Sequence, residues 1–328
     1  MSENALSGKK KILVTGGTGF IGHALLERLA SRSDVRLLAW IRRIDALLPV
    51  GVVPVSVSHA RTFAAGGKAD ELDTVIHCAA RVHVMAEKVR DPLAEFRKTN
   101  VDLTLELARS AVESGARRFI FLSSVKVNGE ATVPGRPFTA TDQPAPVGPY
   151  ALSKYEAEVG LRRIGEETGL EVVIIRTPLV YGPGVKANFR SIMRCLSIGL
   201  PLPLGGLDNR RSLVALDNLV DLIDTCIDHP AAANQTFMVS DGEDLSTTAL
   251  LRRLASALGR SARLLPLSER ALAWVARLLG RPEVIARLCG TLQVDIGQTC
   301  KRLAWTPPVR VDEALKMTAA DFLRRRHA

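Results

Sequence analysis

The sequence is poor in aromatic residues, which make up 5% of its 328 positions, and it has no long apolar run. So few rings cannot build the stacking platform that single-stranded nucleic acid needs. The longest apolar stretches, such as Leu37–Ile41 and Val172–Ile175, fall far short of the ~20 residues that cross a bilayer. Met1 to Lys11 lacks the apolar core of a secretory signal, so the expected location is cytoplasmic, without membrane insertion. Cysteine is scarce as well. There are five, none in a C-x-x-C pair, which reads as free thiols in a reducing compartment. The six histidines have no metal-ligand spacing, and no metal site is expected.

What is present is ordinary in amount: 47% apolar and 24% charged residues, the mix of a soluble globular protein of one large or two smaller domains. Lys and Arg number 44 against 34 Asp and Glu, a net charge of +10. The basic pairs, Arg42-Arg43, Arg117-Arg118, Arg162-Arg163, Arg210-Arg211 and Arg252-Arg253, are spread along the whole chain. That scatter argues against nucleic acid and for small phosphorylated ligands.

Apolar periodicity predicts strands at Lys11–Thr15, Val35–Ile41, Val52–Val57, Thr74–Ala79, Arg118–Ser123 and Val172–Thr177. Helices are expected at Phe20–Ala30, Asn100–Ser114 and Tyr150–Glu167. Strands apolar throughout, alternating with helices, imply an α/β fold whose parallel sheet is covered on both faces. After Tyr181 the alternation fades into Pro- and Gly-rich turns, two short strands at Ser212–Val214 and Phe237–Val239, and mostly helical sequence from Leu245. The expected division is a nucleotide-binding domain over 9–180 with a return segment near 210–241, and a smaller, mostly helical substrate lobe over 181–209 and 242–328. The amphipathic stretch Ala271–Leu288, with Trp274, reads as a packing face of that lobe.

Three motifs carry chemistry. Gly16, Gly19 and Gly22 form G-x-x-G-x-x-G between a strand and a helix opened by Phe20 and Ile21. The glycines allow a tight turn and close backbone approach, and the helix N-terminus offers N–H groups to a pyrophosphate. The end of the second strand lacks the carboxylate that usually holds the NAD ribose and carries Arg42-Arg43 instead. A guanidinium fork suits a 2′-phosphate, which favours NADP(H) and leaves NAD(H) as the alternative. Tyr150 and Lys154 share a helical face at i and i+4, where the lysine can lower the phenol pKa towards neutrality.

Together with DTVIHCAA (73–80), TNVDLT (99–104), FIFLSSVKVNG (119–129), PYALSK (149–154), RTPLVYGPG (176–184), RRSLVALDNLV (210–220) and LAWTPP (303–308), these segments run in the order of one family. The chain resembles the extended short-chain dehydrogenase/reductase family, the NAD-dependent epimerases and dehydratases, from about Lys11 to Phe322. The resemblance implies a Rossmann-type doubly wound parallel sheet with a substrate-binding lobe, a nicotinamide cofactor, a UDP-linked sugar substrate and a homodimer through the Asn100–Ser114 and Tyr150–Glu167 helices. By position it makes Tyr150 the catalytic acid/base, Lys154 its partner and ribose ligand, and Ser124 the group that bonds the reacting sugar oxygen. It puts Ala79, Ala80, Asn100 and Pro178 beside the cofactor. His83, Lys126, Asn188 and Arg211 face the substrate, the last two at its diphosphate.

Departures narrow the reaction. Sugar 4,6-dehydratases carry Asp-Glu or Asp-Lys after the catalytic Ser/Thr, where this chain has Val125-Lys126. Many 4-epimerases have Tyr where it has Asn128, and Leu179 replaces a common Asn. The segments AARVHVM (79–85) and SSVKVNGE (123–130) look most like the 4-keto reductases of bacterial O-antigen (lipopolysaccharide) clusters. The leading expectation is therefore reduction at carbon 4 of a UDP-4-keto-6-deoxy-N-acetylhexosamine. The alternative is a UDP-hexose 4-epimerase, and a third reading is a non-catalytic cofactor-binding regulator.

Overall fold

The computed structural model describes residues 8–41, 47–56, 72–82, 90–268, 271, 272, 274 and 288–327. The expected sites Arg42, Arg43 and His83 lie outside these residues, as does most of 271–288, of which Trp274 is exposed.

The chain opens with β1 (Lys10–Thr15), α1 (Phe20–Ala30), β2 (Val35–Ile41), β3 (Val53–Ser56) and β4 (Thr74–His77). Next come α2 (Pro92–Arg97), a π-helical turn (Lys98–Asp102), α3 (Leu103–Glu113) and β5 (Arg118–Ser124). Then follow α4 (Gly148–Thr168), β6 (Glu171–Thr177), β7 (Leu179–Tyr181), α5 (Ala187–Ser197), β8 (Arg211–Ala215) and α6 (Leu216–Asp228). The chain closes with β9 (Thr236–Met238), β10 (Asp244–Leu245), α7 (Thr247–Ala257), α8 (Gly297–Leu303) and α9 (Val311–His327).

Seven strands form a parallel sheet in the order β3-β2-β1-β4-β5-β6-β9. This is the parallel sheet that the apolar strands predict, in the doubly wound order that the family resemblance implies. Ile12, Leu13 and Val14 of β1 are completely buried, because consecutive side chains point to opposite faces and both faces are covered. On one face Leu25, Leu26 and Leu29 of α1 pack with Leu219, Leu222 and Ile223 of α6. On the other, Leu107 and Ala108 of α3 and Leu161 and Ile164 of α4 pack on Leu13, Val75, Phe119 and Phe121. Truncating one such leucine to alanine would cost about 2–5 kcal/mol. Strand order reverses between β1 and β4, so their carboxyl ends open the crevice where ligands sit in such folds.

The helix expected to begin at Asn100 starts earlier. Asp91 caps α2 by accepting the Ala94 N–H at 3.0 Å, and the π turn then joins α2 to α3. At the far end of the next crossover, Gly169 ends α4 with φ +80, a left-handed conformation that favours glycine. The outer face of α3 carries Glu106, Arg109 and Glu113, and Asp102 precedes them at the end of the π turn, all exposed. Leu103, Leu105 and Val112 of α3 are partly buried against the core of that sheet face, and Val159 on α4 is half-exposed.

The lobe has its own core, in which Tyr181, Phe189, Leu213, Leu251 and Leu315 come from β7, α5, β8, α7 and α9. The small sheet β10-β8-β7 lies under it. Its helices are joined by extended stretches that bridge Leu202 to Leu264 and Arg211 to Leu292.

Candidate active site

At the carboxyl end of β1 the backbone turns sharply through Gly16, at φ +71. A Cβ there would stand 2.8 Å from the Ala79 nitrogen, and one on Gly22 would stand 2.2 Å from the Gly16 carbonyl oxygen. Only glycine lets the turns after β1 and β4 touch. Gly19 caps α1 with no side-chain hydrogen bond, so the cap itself places no side chain on the first-turn N–H groups at Phe20, Ile21 and Gly22. A bare helix start beside a glycine cradle at the switch point fits a dinucleotide pyrophosphate.

A buried polar chain braces this cradle. The His77 imidazole bonds Thr15 Oγ1 through Nδ1 at 2.7 Å and Thr104 Oγ1 through Nε2 at 3.0 Å. The Ala79 N–H donates to Thr15 Oγ1 at 3.3 Å. Burial, reinforced by the Lys154 cation, pushes the His77 pKa down to about 3, so the ring is neutral. Asn100 sits in the π turn, where the widened helix lets its side chain reach the loop after β4. Its Oδ1 accepts the Arg81 N–H at 2.8 Å, and its Nδ2 donates to the Arg81 carbonyl and to Ser153 Oγ, both at 3.0 Å. Ala79 and Ala80 are half-buried beside it, and Pro178 is buried between β6 and β7.

Ser124 ends β5, and α4 brings Tyr150 and Lys154 to it. A hydrogen bond from Ser124 favours the Tyr150 phenolate, while burial acts more strongly and holds the phenol above its ordinary pKa. Phe96 meets the Tyr150 ring edge-on at 6.1 Å. Lys154 Nζ donates to the Leu122 carbonyl at 2.8 Å and lies 4.4 Å over the centre of the Phe121 ring. Burial lowers its pKa to about 8 against the opposing pull of Glu158. The sequence leads one to expect Lys154 to draw the Tyr150 pKa down. Here its ammonium is turned to the strand carbonyl and the Phe121 face, and Tyr150 is raised instead.

Behind these residues lies a carboxylate that none of the three sequence motifs includes. Glu158, one turn beyond Lys154 on α4, accepts from Arg176 Nε at 3.0 Å and Nη2 at 2.6 Å, and from Ser123 Oγ at 2.6 Å. Arg176 Nη1 continues to Asn128 Oδ1 at 3.0 Å, and Asn128 Nδ2 donates to the Thr139 carbonyl at 3.0 Å. Two signals pointed there: Tyr150, Lys154 and Glu158 at i, i+4 and i+8, and a lone arginine inside the apolar strand Val172–Thr177.

The expected substrate groups are distributed differently. Lys126 is half-buried and paired with Glu130 at 2.8 Å. Arg211 begins β8, donates to the Gly290 carbonyl at 2.9 Å, and has its pKa lowered by burial with Glu130 opposing. Asn188 is exposed on the first turn of α5, and the structure gives it no contact with Ser124, Tyr150 or Lys154. Among the described residues no group of three or more His, Cys, Asp or Glu could hold a metal, and no helix is long and apolar enough to cross a membrane.

Comparison with known proteins agrees with this geometry. The chain is 46% identical over 321 residues to a UDP-glucose 4-epimerase of Vibrio cholerae, covering 96% of each protein. It is 31% identical over 186 residues to a dTDP-D-glucose 4,6-dehydratase of Mus musculus, covering 53% of this chain and 51% of that one. Its fold matches the crystal structure of a UDP-glucose 4-epimerase with UDP-glucose from Thermotoga maritima with a TM-score of 0.77. That match has 23% identity and covers 97% of this chain and 100% of that one. Residues 12–240, well over half of the chain, match the NAD dependent epimerase/dehydratase family, and the chain belongs to it.

Proposed function

We propose that the protein is an NAD-dependent nucleotide-sugar 4-epimerase acting on a UDP-hexose. The observation that carries this reading is the 46% identity to a 4-epimerase across 96% of both chains. It reverses the order of the two sequence expectations, in which the 4-keto reductase stood first.

Gly16, Gly19, Phe20, Ile21 and Gly22 would hold the dinucleotide, with Ala79, Ala80, Asn100 and Pro178 along its course. The bound dinucleotide supplies a reversible hydride acceptor for carbon 4. Tyr150 takes the proton from the 4-hydroxyl and later returns it, and Ser124 bonds the same oxygen. Lys154 is charged below about pH 8 and stands one turn from Tyr150. Arg211, from the return segment near 210–241, and Asn188, from the lobe over 181–209 and 242–328, anchor the diphosphate between them. Elimination of water is not part of this reading, because Val125 and Lys126 follow Ser124 where a dehydratase has Asp-Glu or Asp-Lys.

The test is to release the cofactor of the purified protein by denaturation, identify it, and assay conversion of UDP-glucose to UDP-galactose. Retained NAD and interconversion without added cofactor support the epimerase. Consumption of added NADPH with a UDP-4-keto-6-deoxy sugar, and no epimerisation, would establish the reductase. Arg42-Arg43, with no carboxylate beside them, favour that second reading and its NADP(H). In a reductase, replacing both by alanine weakens NADPH more than NADH. A homodimer through α3 and α4 rests on the family resemblance and on Val159, and solution mass by light scattering decides it.

A further inference from the structure

The lobe carries a cavity of about 440 Å³ between the Gly184–Lys186 loop, α5 and α9. None of its lining residues is among the candidate cofactor, catalytic or diphosphate residues. Five cations line it: Lys186, Arg190, Arg194, Arg325 and Arg326, against the single carboxylate of Asp321. That carboxylate is already committed. Asp321 is 8% exposed, accepts the Gly184 N–H at 2.8 Å and holds Arg325 Nε at 2.8 Å. Arg326 is fixed by a 3.0 Å bond from Nη1 to Ser197 Oγ. Lys186, Arg190 and Arg194 make no ion pair among the described residues, so their charge is left for something else. Met193 and Phe322, both buried, form an apolar floor.

Like charges gathered around a concave surface repel one another, and the arrangement is costly unless an anion offsets it. Guanidinium forks from two helices match the oxygens of phosphate groups. The volume is within the range of small-ligand pockets. We propose that this cavity is a second binding site, separate from the cofactor and sugar positions, for a soluble polyphosphate-bearing ligand. Arg190 and Arg194 grip the phosphates, and Met193 and Phe322 receive the apolar part. The Gly184–Lys186 loop forms one wall, and a Cβ on Gly184 would stand 3.9 Å from Phe20 of the glycine turn. Occupancy is therefore within one side chain of the cofactor cradle.

The test uses the full chain with excess NAD and UDP-glucose present, titrated with inorganic tripolyphosphate by calorimetry at low salt. One site per chain is expected. The exposed pair Arg190→Ala/Arg194→Ala should weaken it by about a hundredfold, since each charge-assisted contact is worth about tenfold. Arg163→Ala/Arg252→Ala removes the same charge elsewhere on the surface and should leave it within about twofold. No binding by the wild type, or equal weakening in both double variants, would overturn the site. So would sedimentation with phosphatidylglycerol vesicles that depends on Arg190 and Arg194 without tripolyphosphate binding, because the source would then be a membrane surface. Epimerase activity without tripolyphosphate is read separately, so failure here is distinct from failure of the proposed function.

Discussion

Glu158 and Arg176 meet as a two-pronged ion pair, at 3.0 and 2.6 Å, with the carboxylate wholly buried and the guanidinium 2% exposed. The pair joins α4, which carries Tyr150 and Lys154, to β6. Through Ser123 it also reaches the strand end that carries Ser124. Burying two charges is expensive, and such a pair repays it only when every remaining donor and acceptor is satisfied. Ser123 and Asn128 do so here.

Glu158→Gln should therefore cost about 3–5 kcal/mol, because Arg176 is left charged and buried. Urea unfolding measures this. Glu158→Leu with Arg176→Met should recover most of the loss. If Glu158→Gln is as stable as the wild type, the pair does not organise this part of the fold.

Tyr150→Phe should lose about 10²–10⁴-fold in turnover while keeping its nucleotide affinities, since only the proton transfer is removed. Rate against substrate concentration, alongside direct cofactor binding, separates the two effects. A near-normal rate would remove Tyr150 from the acid/base role.

His77 sets an acid limit. Its folded pKa, about 3, is below the ordinary 6.5, so the unfolded chain binds the extra proton between these values. Stability from this group is whole above pH 6.5 and is lost as pH falls towards 3, by roughly 4–5 kcal/mol in all. His77→Gln should flatten that slope in unfolding measurements. By NMR the His77 ring should stay neutral from pH 8 to pH 5, and a titration midpoint near 6.5 would contradict the buried Thr15–His77–Thr104 chain.

Arg211→Ala should raise the Michaelis constant for the nucleotide sugar by about ten- to a hundredfold, the worth of one charge-assisted contact of ~1.5–3 kcal/mol. UDP alone should lose the same affinity, and NAD almost none. Unchanged UDP binding would place the diphosphate elsewhere.

The sheet was legible because its strands are apolar on both faces and its glycine turn is bounded by a strand and a helix. Tyr150 and Lys154 were legible by their i, i+4 spacing and Ser124 by the family resemblance, and Ser124 hydrogen-bonds Tyr150. The direction of Lys154 was not, because it depends on the Leu122 carbonyl and the Phe121 ring, which no local pattern places beside it. Glu158 and Arg176 are 18 residues apart in sequence and meet only when α4 packs on the sheet. The basic cavity was hidden for a similar reason. Its cations come from the Gly184–Lys186 loop and from α5 and α9, which lie far apart in sequence, so they read there as scattered surface charge.

A π-helical turn amounts to one additional residue within an α-helix. Loss of a single codon within 98–102 would let α2 run straight into α3, with Leu107 and Ala108 still facing the sheet. The shortened protein should fold and survive proteolysis, yet Asn100 would no longer reach Arg81. In a genetic screen such a deletion would appear as a well-expressed null allele, at a helix where indels usually destroy the protein outright.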